Sequence, residues 1–214
     1  LILLGLTGSI GMGKSTTMAM FAERGAYVWN ADDAVHALYA HGGAAVDPVG
    51  EAFPGVVIAG GVDRGRLAEA LGRDDSAYQR LEAIVHPLVV AGRQGDLKAA
   101  RARGIPLAVL DIPLLFETGA DQAMDAVVVV SAPETLQRAR VLARPGMTPD
   151  RLEAILARQM PDAEKRRRAD FIIDTGESLE ATRAQVAEVI SLVLSPEWKR
   201  AARRLPSATE PAQT

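Results

Sequence analysis

Short apolar runs alternate along the chain with longer stretches in which apolar residues recur every three or four positions. The runs Ile2–Leu6, Tyr27–Asn30, Leu107–Asp111, Ala126–Val130 and Phe171–Asp174 predict strands. Most are continuously apolar rather than alternating, as strands buried on both faces are. The intervening periodic stretches predict helices, and strand–helix alternation of this kind builds a parallel sheet covered by helices. Lys14–Arg24 reads as an amphipathic helix stopped by Gly25. Pro149–Met160 reads as a second, with Thr148 as N-cap and Pro149 at the first helical position. Leu179–Leu194 carries Leu179, Val186, Ile190 and Val193 at helical spacing and covers one sheet face. Between Asp33 and Arg103 only the short run Val56–Ala59 resembles a strand, so this region reads as a mostly helical insertion.

The chain has 214 residues, 48% hydrophobic and 24% charged, the composition of an ordinary globular protein. A net charge of −3 argues against a dedicated nucleic-acid binder, so a polyanionic ligand must be held locally. The absence of cysteine removes disulfides, thiolate metal sites and cysteine nucleophiles. No run has the length of a membrane span, and Leu1–Leu6 is too short for a secretory leader. The expectation is a cytoplasmic protein with no membrane partner. The Pro/Ser/Ala/Thr-rich end, 205–214, is expected to be disordered. His36, His41 and His86 lack metal-ligand spacing, and no G-x-S-x-G elbow occurs.

Gly8-Ser9-Ile10-Gly11-Met12-Gly13-Lys14-Ser15 fits the phosphate loop G-x-x-x-x-G-K-[ST], and it lies between a buried-type strand and a helix. The glycines let successive N–H groups face a phosphate, while the helix N-terminus adds its positive end. Gly11, Met12, Gly13, Lys14, Ser15 and Thr16 are therefore the expected phosphate-binding residues. Lys14 would sit on the β- and γ-phosphates, and Ser15 would offer a hydroxyl to Mg²⁺. The glycine order disfavours a dinucleotide-binding turn, and no Asn-Lys-x-Asp element marks a guanine-specific switch. Among phosphate-loop proteins, a small-molecule kinase further needs a base for the acceptor and cations over the transferring group. Asp32, just past the second strand, fits the base; capping of the following helix is the alternative. Gln137, Arg140 and Arg144 share one face of the helix expected after Pro133, as a lid over the triphosphate or as a solvated basic face. Asp111, at the end of a strand, is placed either for the metal's shell or to fix the Ile112-Pro113 turn. Arg166-Arg167-Arg168 reads as a solvated charge cluster on a short polar connection.

Taken in order, Gly5 through Thr16, Asn30-Ala31-Asp32, Asp63-Arg64 with Leu67, His86-Pro87, Asp111 through Glu117, Gln137 with Arg140 and Arg144, Gln159, Ala169-Asp170 and Ile173-Asp174 resemble the dephospho-CoA kinase family. The resemblance implies ATP-dependent phosphorylation of the ribose 3′-hydroxyl of dephospho-CoA. It also implies an α/β, three-layer P-loop kinase fold with a parallel core sheet, a helical acceptor-binding insertion and a small lid. The expected division is a single kinase domain over 1–204, its core 1–32 and 104–194, the insertion about 33–103 and the lid about 137–165. Carried over by position, Gly11 through Thr16 bind ATP, and Lys14, Asp32, Arg140 and Arg144 are catalytic. Thr7, Asp32, His86, Leu115 and Phe116 lie on the acceptor side, with core packing the alternative for Leu114, Leu115 and Phe116. A monomer or weak homo-oligomer is expected. Other kinases of this architecture, acting on nucleoside monophosphates or gluconate, and a non-catalytic nucleotide-binding regulator are the competing readings. Two positions depart from the family pattern: Asn30 replaces the first Asp of an Asp-Ala-Asp element, and Thr175 stands where an Asn often follows Asp174.

Overall fold

The computed structural model describes residues 1–72 and 74–198. The tail expected to be disordered lies outside them. In chain order the elements are β1 (Ile2–Thr7), α1 (Lys14–Glu23), β2 (Tyr27–Asn30), α2 (Ala31–Tyr39), α3 (Val46–Ala52), β3 (Val57–Ile58), β4 (Gly61–Val62), α4 (Arg64–Leu71), α5 (Asp75–Ala102), β5 (Leu107–Asp111), β6 (Ala126–Ser131), α6 (Glu134–Leu142), α7 (Pro149–Leu156), α8 (Asp162–Arg168), β7 (Phe171–Asp174) and α9 (Leu179–Leu194). They form two compact units, one made of Leu1–Val28 with the chain from Arg103 onward, the other of Trp29–Ala102.

The first unit is built on a five-stranded sheet of order β2-β5-β1-β6-β7. Parallel pairing sets Leu4 beside Val109 and Ala126, and Val129 beside Ile172. Because side chains alternate across a strand, the valines of β6 divide between two cores. Val128 and Val130 join Leu4, Leu6, Phe21, Val109, Ile173 and Val186 in one cluster. Val127 and Val129 pack with Leu115 and Phe116 in another. Helix α9 meets its core through Val186, Val189 and Val193, whereas Leu179, expected on the buried face, is 64% exposed at the start of the helix. Helix α7 is capped by the Thr148 side chain as expected but ends at Leu156; the three residues before Met160 leave the helix in a turn.

The second unit holds α2 to α5 around Ala45, Val49, Phe53, Leu67 and Val85. Among its described residues, the short run expected at Val56–Ala59 supplies β3 of the antiparallel pair β3–β4, in which Val57 faces Val62. The run expected to extend to Ala59 stops short because Ala59 turns the chain with φ 48°. Among the described residues, no helix is long and apolar enough to cross a membrane.

Candidate active site

Strand β1 delivers the chain into the loop 8–13, and α1 starts directly at Lys14. No side chain caps α1 and its first turn carries no acid, so the positive end of the helix is left to a ligand. The loop is tightly enclosed. A methyl group on Gly8 would lie 2.5 Å from the Val130 carbonyl oxygen. Gly11 has φ 80°, a left-handed conformation, and a methyl there would lie 2.5 Å from Val141 Cγ2.

Side chains from three distant segments hold the loop backbone. Gln137 Nε2 donates to the Ile10 carbonyl at 2.8 Å, and the Ile10 N–H donates to Gln159 Oε1 at 3.2 Å. The Thr175 hydroxyl donates to the Met12 carbonyl at 2.8 Å. Arg140 in turn donates twice to Thr175, from Nη1 to the hydroxyl at 2.9 Å and from Nη2 to the carbonyl at 2.8 Å. Met12 is buried, and its sulfur accepts from the Ala132 N–H. The Lys14 ammonium donates to the Asp111 carboxylate, which is only 1% exposed at the end of β5. Asp111 thus faces the loop lysine.

Beside the loop opens a cavity of about 380 Å³ lined by Gly13, Thr16, Arg140, Arg144, Thr175 and Ser178. Arg140 and Arg144 both reach it, but not from one helix face: α6 ends at Leu142, and Arg144 follows it in a turn. Gln137, expected on the same face as the arginines, is buried and belongs to the loop's support. The helices α6 and α7 are tied by Arg138 and Glu153 at 2.6 Å.

In the second unit, the Asn30 side chain accepts from the N–H groups of Asp32 and Asp33, at 2.8 and 3.0 Å. Asn30 is therefore the N-cap of α2, and the capping alternative for Asp32 falls away. Asp32 is exposed in the first turn of the helix. His86 is exposed on α5, one residue before Pro87.

Three expected acceptor-side residues are buried. Thr7 is fully buried and donates to the Pro113 carbonyl at 3.2 Å. Leu115 and Phe116 are core residues, 0% and 5% exposed, and of that apolar trio only Leu114 reaches the surface. The arginine cluster is corrected, because it forms the end of α8 rather than a polar connection. Arg166 donates to the buried Ser131 hydroxyl at 3.2 Å, and Arg168 lies 4.5 Å over the Phe116 ring while pairing with Asp121 at 3.1 Å.

The sequence profile described as dephospho-CoA kinase matches residues 2–181. The chain belongs to the dephospho-CoA kinase family. It is 58% identical over 190 residues to the dephospho-CoA kinase of Mesorhizobium japonicum, covering 89% of this chain and 95% of that one. To the dephospho-CoA kinase of Rhodopseudomonas palustris strain HaA2 it is 54% identical, covering 89% and 94%. Among solved structures, the dephospho-CoA kinase from Campylobacter jejuni superposes with a TM-score of 0.67 at 26% identity, over 89% of this chain and 96% of that one.

Within a dephospho-CoA kinase family member, both departures from the family pattern have a visible local use. Asn30 caps α2 through two backbone amides. Thr175 joins Arg140 to the phosphate loop with a hydroxyl that accepts from one and donates to the other. Sequence reading had no signal for that bridge, because the three residues it connects are far apart in the chain.

Proposed function

We propose that this chain transfers the γ-phosphoryl group of ATP to the ribose 3′-hydroxyl of dephospho-CoA, giving coenzyme A and ADP. The observation that carries the reading is family membership across residues 2–181, joined to a phosphate loop already enclosed and tied in place. The loop and the start of α1 bind the phosphates of ATP. Lys14 carries positive charge to the β- and γ-phosphates, and Arg140 and Arg144 supply cations from the cavity beside the loop. Asp32 takes the proton of the 3′-hydroxyl as its oxygen bonds to the γ-phosphorus and the bond to the bridging oxygen of ADP breaks. Trp29–Ala102 serves as the acceptor-binding unit, with His86 on its acceptor side, and 137–165 as a lid that closes over the nucleotide.

The donor set suits Mg²⁺: Ser15 offers an exposed hydroxyl at the first turn of α1, and Asp111 offers a carboxylate at the adjoining strand end. Ser15 would hold the ion, with Asp111 in its surroundings. When bound it would neutralise phosphate charge and orient the leaving group.

ADP release is the test, measured with ATP and dephospho-CoA, AMP or gluconate supplied separately, product mass checked, and Lys14→Ala as control. Release with dephospho-CoA alone, lost in Lys14→Ala, is the expected result. Release with AMP or gluconate instead would replace the acceptor, and ATP binding without release would make the chain a regulator.

A further inference from the structure

Lys165 on α8 is completely buried. Its ammonium is 2.8 Å from Glu117 Oε1, and that same oxygen accepts the Met160 N–H at 2.7 Å. Only the lysine end of the pair is buried, since Glu117 is partly exposed. What distinguishes this pair is where it leads. Glu117 lies on the segment that leaves β5 at Asp111, the partner of Lys14. Met160 follows Gln159, whose side chain accepts the Ile10 N–H of the phosphate loop. The pair thus fixes the backbone beside a residue that touches the loop, although neither of its own members touches it. The start of α8 has a separate anchor in Asp162, which accepts from the Ser131 hydroxyl at 2.7 Å.

We propose that Glu117 is a positioning residue for ATP binding: with Lys165 it sets the backbone at Met160, so that Gln159 keeps the Ile10 end of the phosphate loop in its binding shape. This role rests on the reading of ATP as donor and deepens it. Lys165 restrains the carboxylate, the carboxylate restrains the Met160 amide, and the neighbouring side chain transmits the restraint to Ile10.

The test is calorimetric titration with ATP, without acceptor, of the wild-type chain, Glu117→Gln, Gln159→Ala and the two combined, with Tm recorded for each. Glu117→Gln is expected to weaken ATP binding about tenfold, as losing a charged hydrogen-bond partner does. In the Gln159→Ala background it is expected to add less than about twofold, because the route to the loop is already cut. Full multiplication of the two penalties, or unchanged ATP affinity with a lowered Tm, would overturn the role and leave the pair a fold staple. Should Glu117→Gln fail to fold, Glu117→Leu with Lys165→Met removes both charges together; weakened ATP binding by that folded protein is expected, and wild-type affinity overturns the proposal. Failure of the wild-type chain to bind ATP overturns the donor reading and takes this role with it. Wild-type binding with the wrong variant pattern overturns this role alone.

Discussion

Gln137 and Gln159 grip the same residue from opposite sides, the first donating to the carbonyl of Ile10 at 2.8 Å and the second accepting its N–H at 3.2 Å. Both amide side chains are spent on the backbone of the phosphate loop. The segment 137–159 is therefore attached to the loop at both of its ends. Truncating Gln137 leaves a part-buried carbonyl without this partner, a loss of about 1–3 kcal/mol. Gln137→Ala is expected to raise KM for ATP by about fivefold or more while leaving KM for the acceptor near wild type. Steady-state kinetics with each substrate varied in turn checks this; an equal rise in both KM values would contradict it.

Asp32 and Asn30 separate chemistry from capping. Asp32→Asn keeps the helix cap and removes the proposed base, so kcat is expected to fall by about 10²-fold or more with little change in either KM. Asn30→Ala removes the side chain that accepts two helix N–H groups, so stability should drop by about 1 kcal/mol. Activity assays and denaturant melts on the two variants should give opposite patterns. Wild-type turnover by Asp32→Asn would remove it as base.

The Thr175 hydroxyl is the junction between Arg140 and the Met12 carbonyl. Thr175→Val keeps the volume but loses that junction, and Val for Thr is not a neutral exchange when the hydroxyl is buried and bonded. KM for ATP should rise several-fold, by about 1 kcal/mol in binding. Thr175→Ser, which keeps the hydroxyl, should restore most of it. Failure of the serine variant to do better than the valine would show that packing, not the hydrogen bonds, is what matters there.

Burial pushes the Glu117 carboxyl up, but the hydrogen bonds from Lys165 and the Met160 N–H outweigh it, and its pKa lies below the ordinary value of 4.5. A carboxylate whose pKa is lowered on folding contributes stability that is present above its unfolded pKa and lost as pH falls through the folded one. The Tm difference between wild type and Glu117→Gln should therefore be constant at neutral pH and narrow as the pH falls below about 4.5. A scan of Tm against pH on both proteins reads this directly; a gap that widens on acidification would refute it.

The strands and the phosphate loop were legible because each is written in contiguous residues: a run of valines, or glycines at fixed spacing before Lys14. Strands β2, β5 and β7 match their predicted bounds, and β1 and β6 each run one residue further. What sequence could not show is which side chains serve the loop and which serve the core. Gln137 and Arg140 look like one basic helical face by spacing, yet one is buried against Ile10 and the other turns to Thr175. Leu115 and Phe116 sit in a recognisable motif, but only packing against Val127 and Val129 reveals that they are core. The hairpin at β4 was missed because two residues, Gly61 and Val62, are too short to carry a period. Lys165 was hidden within a basic run, since nothing local marks which of four consecutive cations is buried.

Strand β6, flanked by β1 and β7 and packed through alternate valines on both sides of the sheet, has no route to water short of opening both cores. Its amide hydrogens, with those of β1, should exchange with solvent only when the whole unit unfolds. The loop at the end of β1 is thus seated on strands expected to open last, while its own shape still depends on the side chains of Gln137, Gln159 and Thr175.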